Sequence, residues 1–522
     1  MQADILDRIV ARRRERVAAE GPAQGLELPA SRPAELPISP FPRPLICEFK
    51  RRSPSRGALA AEVDPVERAA AYREAGAEAV SVLTEQDNFS GSLADLIAVK
   101  RAYPDLAVLR KDFLLEPVDV EVAWRAGADA VLVIAAILSR DEIAALLREA
   151  ERLGLAALVE VHDAEDVEKV RPLKPAVVGI NSRDLRTFRV DLLTPVALIQ
   201  AIDWPCGLIF ESGIFHREDA ELARETGFSA VLVGEAVVRD PARGRVLAEV
   251  MAGAGSGADR TGRAAPSSSA PGTAAGGAPE GAAPDLGAGM RPFWSAVATH
   301  RERLRAGGNR QVRPLIKICG ITTEDDALLA QELGADLLGI VYAPSKRRAP
   351  EGLARRLRDA GVTLPLVAVV VEPGDDGHVE RAQRDRDAGW ISALQLHGEA
   401  DAETAGRYGS PYFKAVKPAD PDEARRLVAE ARSVRLLVDA RHPTLAGGTG
   451  RQVDPEILSA VREALAERPH GALWLAGGLG ADNVAEVVKN HQPELIDASS
   501  RLEASPGRKD RELLRQFFKE LA

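Results

Sequence analysis

The chain has 522 residues, 45% of them hydrophobic and 4% aromatic, with 68 basic against 78 acidic side chains and a net charge of −10. Excess negative charge excludes nonspecific attachment to nucleic acid or to an anionic membrane surface, both of which call for excess cations, whereas small anionic substrates stay open to local lysines and helix N-termini. Cys47, Cys206 and Cys319 form neither a disulfide framework nor a zinc spacing, the first residues carry acids instead of an apolar signal segment, and no apolar run approaches the ~20 residues of a bilayer span, so a cytoplasmic protein is expected.

Asp4–Glu20 has helical spacing (Ile5, Ile9, Val10, Val17) and predicts a helix that covers the base of the fold or flanks its mouth. Residues 21–45 are Pro-rich and irregular. Eight short apolar runs follow: Ile46–Lys50, Ala79–Leu83, Ala107–Lys111, Ala130–Ile134, Ala156–Glu160, Val177–Asn181, Gly207–Glu211 and Ala230–Gly234. Their richness in Val, Ile and Leu predicts strands buried on both faces. Gly76, Gly127, Gly227 and Gly334 each end an amphipathic stretch and open such a run, as a left-handed helix cap would. Residues 252–289 are Gly, Ala, Ser and Pro with one large apolar residue, Leu286, and predict a flexible linker. Pro292–Leu304 reads as a connecting helix. Eight further runs follow: Leu315–Cys319, Leu337–Tyr342, Leu366–Val371, Ser392–His397, Tyr412–Val416, Arg435–Asp439, Ala472–Gly477 and Glu494–Ala498. Eight strands alternating with helices close a (β/α)8 barrel. The predicted α/β architecture is therefore two (β/α)8 TIM barrels in tandem, residues 1–251 with an extra N-terminal helix and residues 291–522, joined by the linker 252–290.

In that fold chemistry sits at the carboxyl ends of the strands. The first set offers Lys50, Thr84-Glu85, Lys111, Glu160, Asn181, Glu211 and Gly234-Glu235. Burying several converging charges without a function is costly, and close Lys–Glu pairs perturb each other's pKa in ways that suit acid–base work. Glu48–Gly57, Ser81–Glu85 with Phe89–Ser92, Leu109–Phe113, Leu158–His162, Gly179–Leu185, Glu211–Ile214 and Leu232–Glu235 together resemble indole-3-glycerol-phosphate synthase over residues 46–240. The resemblance implies a decarboxylating ring closure of an anilino-deoxyribulose 5-phosphate, with Lys111 as general acid, Lys50 on the substrate carboxylate or sharing the acid role, and Glu160 assisting dehydration. It further implies Glu48, Asn181, Arg183 and Glu211 as substrate-binding residues, and Ser53 and the turns Ser212-Gly213 and Gly234-Glu235 around the phosphate. Ser182, Phe210 and Cys47 depart from the family pattern.

The second set offers Cys319, His397, Lys417, Asp439, Gly477-Gly478 and Ser499-Ser500. A thiolate and a carboxylic acid across one ligand would make a base–acid pair. Ile316–Thr322, Gln395–Gly398, Leu437–Asp439, Gly447–Gly450, Ala476–Leu479 with Asn483-Val484, and Ile496–Ser500 resemble phosphoribosylanthranilate isomerase over residues 314–520. The resemblance implies an Amadori rearrangement with Asp439 as acid and Cys319 as base, Arg347 and His397 binding substrate, and Gly477, Gly478, Ser499 and Ser500 framing the phosphate. A thiol has to be acidified to act as a base near neutrality, and strand alternation puts Lys317 on the face of Cys319. Arg501, Val453–Pro455 and a loop at Ala343–Arg348 one residue short depart from the family. The fused enzyme that these resemblances imply would be a monomer acting on small phosphorylated anthranilate-derived substrates, without metal or other cofactor. The rivals are a chain active in its first barrel alone, a noncatalytic phosphosugar-binding scaffold, and an aminoaldose isomerase of histidine biosynthesis; Cys319 speaks against the last, since that chemistry uses two carboxylates.

Overall fold

The computed structural model describes residues 5–53, 57–58, 63–184, 190–240, 242–253, 293–306, 313–372, 377–398, 411–440, 453–468 and 471–521. Residues 254–290 of the expected linker and the run Gly447–Gly450 lie outside them. The chain divides into two compact units, Met1–Gly255 and Ser256–Ala522, and each contains one closed barrel of parallel strands.

In the first unit the strands are β1 Leu45–Phe49, β2 Ala79–Leu83, β3 Ala107–Lys111, β4 Ala130–Ile134, β5 Ala156–Val161, β6 Val177–Asn181, β7 Gly207–Glu211 and β8 Ala230–Val233. β8 pairs with β1 and closes the ring. In the second they are β9 Leu315–Cys319, β10 Leu337–Val341, β11 Leu366–Glu372, β12 Ala393–Gly398, β13 Tyr412–Val416, β14 Leu436–Val438, β15 Leu473–Ala476 and β16 Leu495–Ala498, with β16 closing on β9. All sixteen expected runs are strands, their ends shifted by at most one residue.

Period-2 alternation sets the barrel interior. In the first unit Ile46, Leu109, Leu158, Val177 and Ile209 belong to one apolar cluster. Two residues further along the same strands come Glu48, Lys111, Glu160, Gly179 and Glu211. The same face is therefore apolar low in the barrel and charged at its mouth.

Segments outside the barrel repeat fix its two ends. The helix Ile5–Glu20 flanks the first mouth: Ile9 joins the interior cluster, and Arg13, buried, pairs with Asp119 at 2.9 Å and reaches Asp112 at 4.0 Å. The irregular stretch that follows is tied to the base by Asp129, whose carboxylate accepts from Arg32, the Ser39 amide, Lys100 and the Val108 amide at 2.7–3.0 Å. In the second unit the helix Phe293–Ala306 closes the base. Phe293 stacks on Phe413 at 5.9 Å, Trp294 lies 6.2 Å from Trp474, and Phe413 and Trp474 meet edge-on at 4.9 Å. Phe413 and Trp474 are the second residues of β13 and β15, at the end opposite Cys319. No helix among the described residues is long and apolar enough to cross a membrane.

Candidate functional sites

At the first mouth Lys111 is the hub. Its Nζ lies 3.0 Å from Glu160 Oε2 and 3.1 Å from Glu211 Oε2, joining the ends of β3, β5 and β7. Lys50, just past β1, pairs with Glu48 at 2.5 Å. Burial works against the Lys111 ammonium, but Glu160, Glu211 and Glu48 outweigh it and hold its pKa above the ordinary lysine value. Burial likewise disfavours the charged forms of the acids. Lys50 and Lys111 overcome it at Glu48, which is held below the usual carboxylate range. Glu160 is pulled well below it by Lys111 and His162. Glu211 goes the other way, pushed up to about 8 by burial and by the charge of Glu160. The two carboxylates thus titrate as a pair around one ammonium, with the balance of burial and charge favouring the proton on Glu211.

The neighbouring strand makes room for this cluster. A Cβ at Gly179, on β6, would overlap Glu211 Oε1 and come within 2.9 Å of Leu158, so the acid lies flat over a position that tolerates only glycine. Asn181 accepts from the Arg183 amide at 3.0 Å, and both line the same cavity as Lys50, Lys111 and Glu160. Ser212, Gly213, Gly234 and Glu235 line it too. Ser212 and Gly213 are consecutive left-handed residues, φ 67° and 79°, the kind of backbone turn that gathers amides for an anion. Ser182 Oγ donates to the Ser212 carbonyl at 2.9 Å; the serine that departs from the family pattern thereby braces this turn. Phe210 points the other way, edge-on to Phe228 at 4.9 Å, and Cys47 is a fully buried strand residue whose thiol burial pushes up.

One expectation needs correction. Glu85 does not join the converging acids: its carboxylate accepts from the amides of Asp87, Asn88 and Phe89 and from the Asn88 side chain, which fixes the loop after β2. Ser53 stands in a two-residue strand, Arg52–Ser53, paired with Gly57–Ala58 outside the barrel; its side chain lies outside the described residues. His162 escaped attention as a site residue. It lies two positions beyond Glu160, with Nε2 3.0 Å from Glu160 Oε1 and Nδ1 3.5 Å from Asp166 Oδ2.

At the second mouth Lys317 and Cys319 share the inward face of β9. A Cβ at Gly339 would come within 2.6 Å of Cys319 Sγ and 2.9 Å of Lys317 Nζ, so a glycine on β10 lets both approach. Lys317 is fully buried and pairs with Asp497 of β16 at 2.6 Å. The thiol is nevertheless not acidified: burial and Asp497 raise it, and the pull of Lys317 and Lys509 falls short of restoring the ordinary value. The expected depression is absent because burial of the thiol, reinforced by the charge of Asp497, outweighs the pull of Lys317 and Lys509. Asp439 follows β14 and pairs with Lys417 at 3.2 Å. His397 contacts Gln395 at 2.8 Å; burial, with Lys417, Lys317 and Lys414 nearby, keeps its imidazole neutral.

Arg347 is held by Glu503, with Nε 2.9 Å from each carboxylate oxygen. Lys509, which the strand ends do not signal, reaches Glu503 at 3.1 Å and donates to the carbonyls of Cys319 and Ser499 at 2.6 and 3.2 Å. Ser499 Oγ also donates to the Cys319 carbonyl, at 3.0 Å, tying the ends of β9 and β16 together. Ser500 opens a short 3-10 turn. Gly477 and Gly478 are consecutive left-handed residues, φ 94° and 62°. The guanidinium of Arg501 donates to the Gly478 carbonyl at 3.1 Å and pairs with Asp482 at 2.6 Å, so its charge is engaged on the outer side of that turn.

Residues 6–250 match the family model for indole-3-glycerol phosphate synthase, and residues 316–520 that for N-(5'-phosphoribosyl)anthranilate (PRA) isomerase. The indole-3-glycerol phosphate synthase of Desulfotalea psychrophila is 39% identical over 258 residues, 48% of this chain and 98% of that protein. A multifunctional tryptophan biosynthesis protein of Phanerodontia chrysosporium is 29% identical over 539 residues, covering 91% of this chain; the chain spans 62% of that relative's length. A solved phosphoribosyl anthranilate isomerase from Thermus thermophilus is 32% identical, over 40% of this chain and 97% of its own, with a TM-score of 0.34.

Proposed function

We propose that this chain, which belongs to the indole-3-glycerol phosphate synthase family through its first barrel and carries a PRA isomerase domain in tandem in its second, catalyses two consecutive steps of tryptophan biosynthesis. The second barrel converts N-(5-phosphoribosyl)anthranilate to the anilino-deoxyribulose 5-phosphate. The first converts that ketose to indole-3-glycerol phosphate, carbon dioxide and water.

In the isomerase Asp439 protonates the ribose ring oxygen and opens the ring. The resulting iminium cation lies beside Cys319 and adds to the pull of Lys317: it favours the thiolate and acidifies the proton at C2. Cys319 takes that proton, and the enolamine tautomerises to the ketose. Arg347 takes the anthranilate carboxylate by exchange with Glu503. The Gly477-Gly478 and Ser499-Ser500 turns hold the phosphate.

In the synthase Lys50 orients the substrate carboxylate and Lys111 protonates the ketose carbonyl as the aromatic carbon attacks it. Carbon dioxide leaves with its bonding electrons returned to the ring. Glu160, held ionised, accepts the proton lost from the methylene carbon beside the nitrogen, while Lys50, freed of the carboxylate, protonates the hydroxyl, which departs as water. The turns at Ser212-Gly213 and Gly234-Glu235 hold the phosphate. The observation that carries this reading is Lys111 set between Glu160 and Glu211, 3.0 and 3.1 Å from their carboxylates: donor and acceptor stand together where general acid–base catalysis requires them.

The test is direct. Purified chain supplied with N-(5-phosphoribosyl)anthranilate is expected to release indole-3-glycerol phosphate, seen by indole absorbance and mass. Accumulation of the ketose alone would confine activity to the second barrel, and untouched substrate would remove it from that barrel.

A further inference from the structure

Glu160 is gripped from two sides, and ring closure as proposed uses only one of them. Oε2 faces Lys111, while Oε1 faces the imidazole of His162 at 3.0 Å. His162 follows Glu160 by two residues, so both project to one side of β5 and its extension. Its other ring nitrogen lies 3.5 Å from Asp166, in the first turn of the following helix, without the alignment of a hydrogen bond. Asp166 is itself fixed, accepting the His162 amide at 3.1 Å, with its own amide bound to Asp163 at 2.9 Å. The charged groups around the imidazole are thus Glu160 on its own strand and Asp166 on the next helix. Behind them stand Lys111 and Glu211 against Glu160, and Lys169, 3.5 Å from Asp166.

We infer that His162 is a positioning residue for the synthase reaction: its imidazolium, 3.0 Å from Oε1 and backed by the charge of Asp166, holds Glu160 as the ionised member of the Glu160–Glu211 pair and leaves their shared proton on Glu211. Lys111 cannot make that choice, because it lies 3.0 Å from one acid and 3.1 Å from the other. His162 breaks the symmetry, since it touches Glu160. Burial disfavours its cation, but Asp166 and Glu160 outweigh burial and raise it to about 9. It therefore keeps its charge at neutral pH, and Glu160 is the base and Glu211 the acid of one hydrogen-bonded pair.

This rests on the synthase reading of the first barrel, and one experiment separates the two. Ring closure is followed against pH in the full chain and in His162→Asn, with the ketose as substrate and the second barrel's isomerisation as internal control. Without the imidazolium, Glu160 binds its proton more readily. The acidic limb of kcat is expected to move up by about one pH unit, roughly a tenfold loss on that side, with KM and isomerisation unchanged. A profile that keeps its shape at lower height would reduce His162 to packing and overturn the inference, while the wild-type chain still making the indole product would leave the functional reading standing. If the variant fails to fold, the imidazole nitrogens of His162 are titrated in wild type by 15N NMR. A midpoint near 9 supports the inference; the ordinary histidine value overturns it.

Discussion

Lys111, Glu160 and Glu211 show how far a single strand position can be read. Alternation along β3, β5 and β7 suffices to place all three on the inward face, so their meeting was legible in the sequence. Which acid keeps the proton was not, because that depends on distances across a closed ring and on a histidine whose partner is a helix residue. The split has a measurable consequence. Glu211, pushed up to about 8, holds its proton below that pH and loses it above. Two charged carboxylates then share Lys111, so synthase activity is expected to fall on the alkaline side with a midpoint near 8. Glu211→Gln fixes a neutral side chain in the same place, and its alkaline limb should shift upward in a kcat-against-pH measurement; an unmoved limb would assign that titration elsewhere. Glu85 marks the limit of reading by strand ends. A strand-terminal acid can serve the loop after it, and three amides claim this one. Cys319 marks another: Lys317 is in register to help it, yet burial inside the closed ring and the charge of Asp497 outweigh that help.

At the scale of elements, the sixteen strands were legible because each is a short apolar run buried on both faces. The accessory segments were harder. The spacing of Ile5–Glu20 fits base and mouth alike, and Arg13 with its partners Asp112 and Asp119 sets it at the mouth. The helix Phe293–Ala306 precedes the matched isomerase region, yet Phe293 and Trp294 are as buried as core residues. Aromatic pairs contribute beyond the area they bury, so this helix belongs to the folding unit of the second barrel. Trp294→Ala is expected to lower the stability of residues 293–522 by about 3–5 kcal/mol, read from the denaturant midpoint. A change within error would mean that the helix merely rests against the strands.

For the molecule as a whole, the proposed function puts two chemistries on one chain, one to each barrel, and their separability can be measured. Lys111→Ala should slow ring closure by roughly 10²–10⁴-fold while isomerisation proceeds, and Cys319→Ser should do the reverse. An equimolar mixture of the two variants is expected to regain the overall conversion through free ketose. Failure to regain it, with each remaining activity intact, would mean that the ketose has to pass within one chain. The helix Phe293–Ala306 has a consequence for how such a pair could be joined. Because it seats the incoming polypeptide on Phe413 and Trp474, the second barrel receives its covalent tether through the floor, opposite the rim where Cys319 and Asp439 stand. Changing the length of the segment ahead of Phe293 is therefore expected to leave isomerisation unaltered, because the chain it attaches enters at the end of the barrel opposite Cys319 and Asp439.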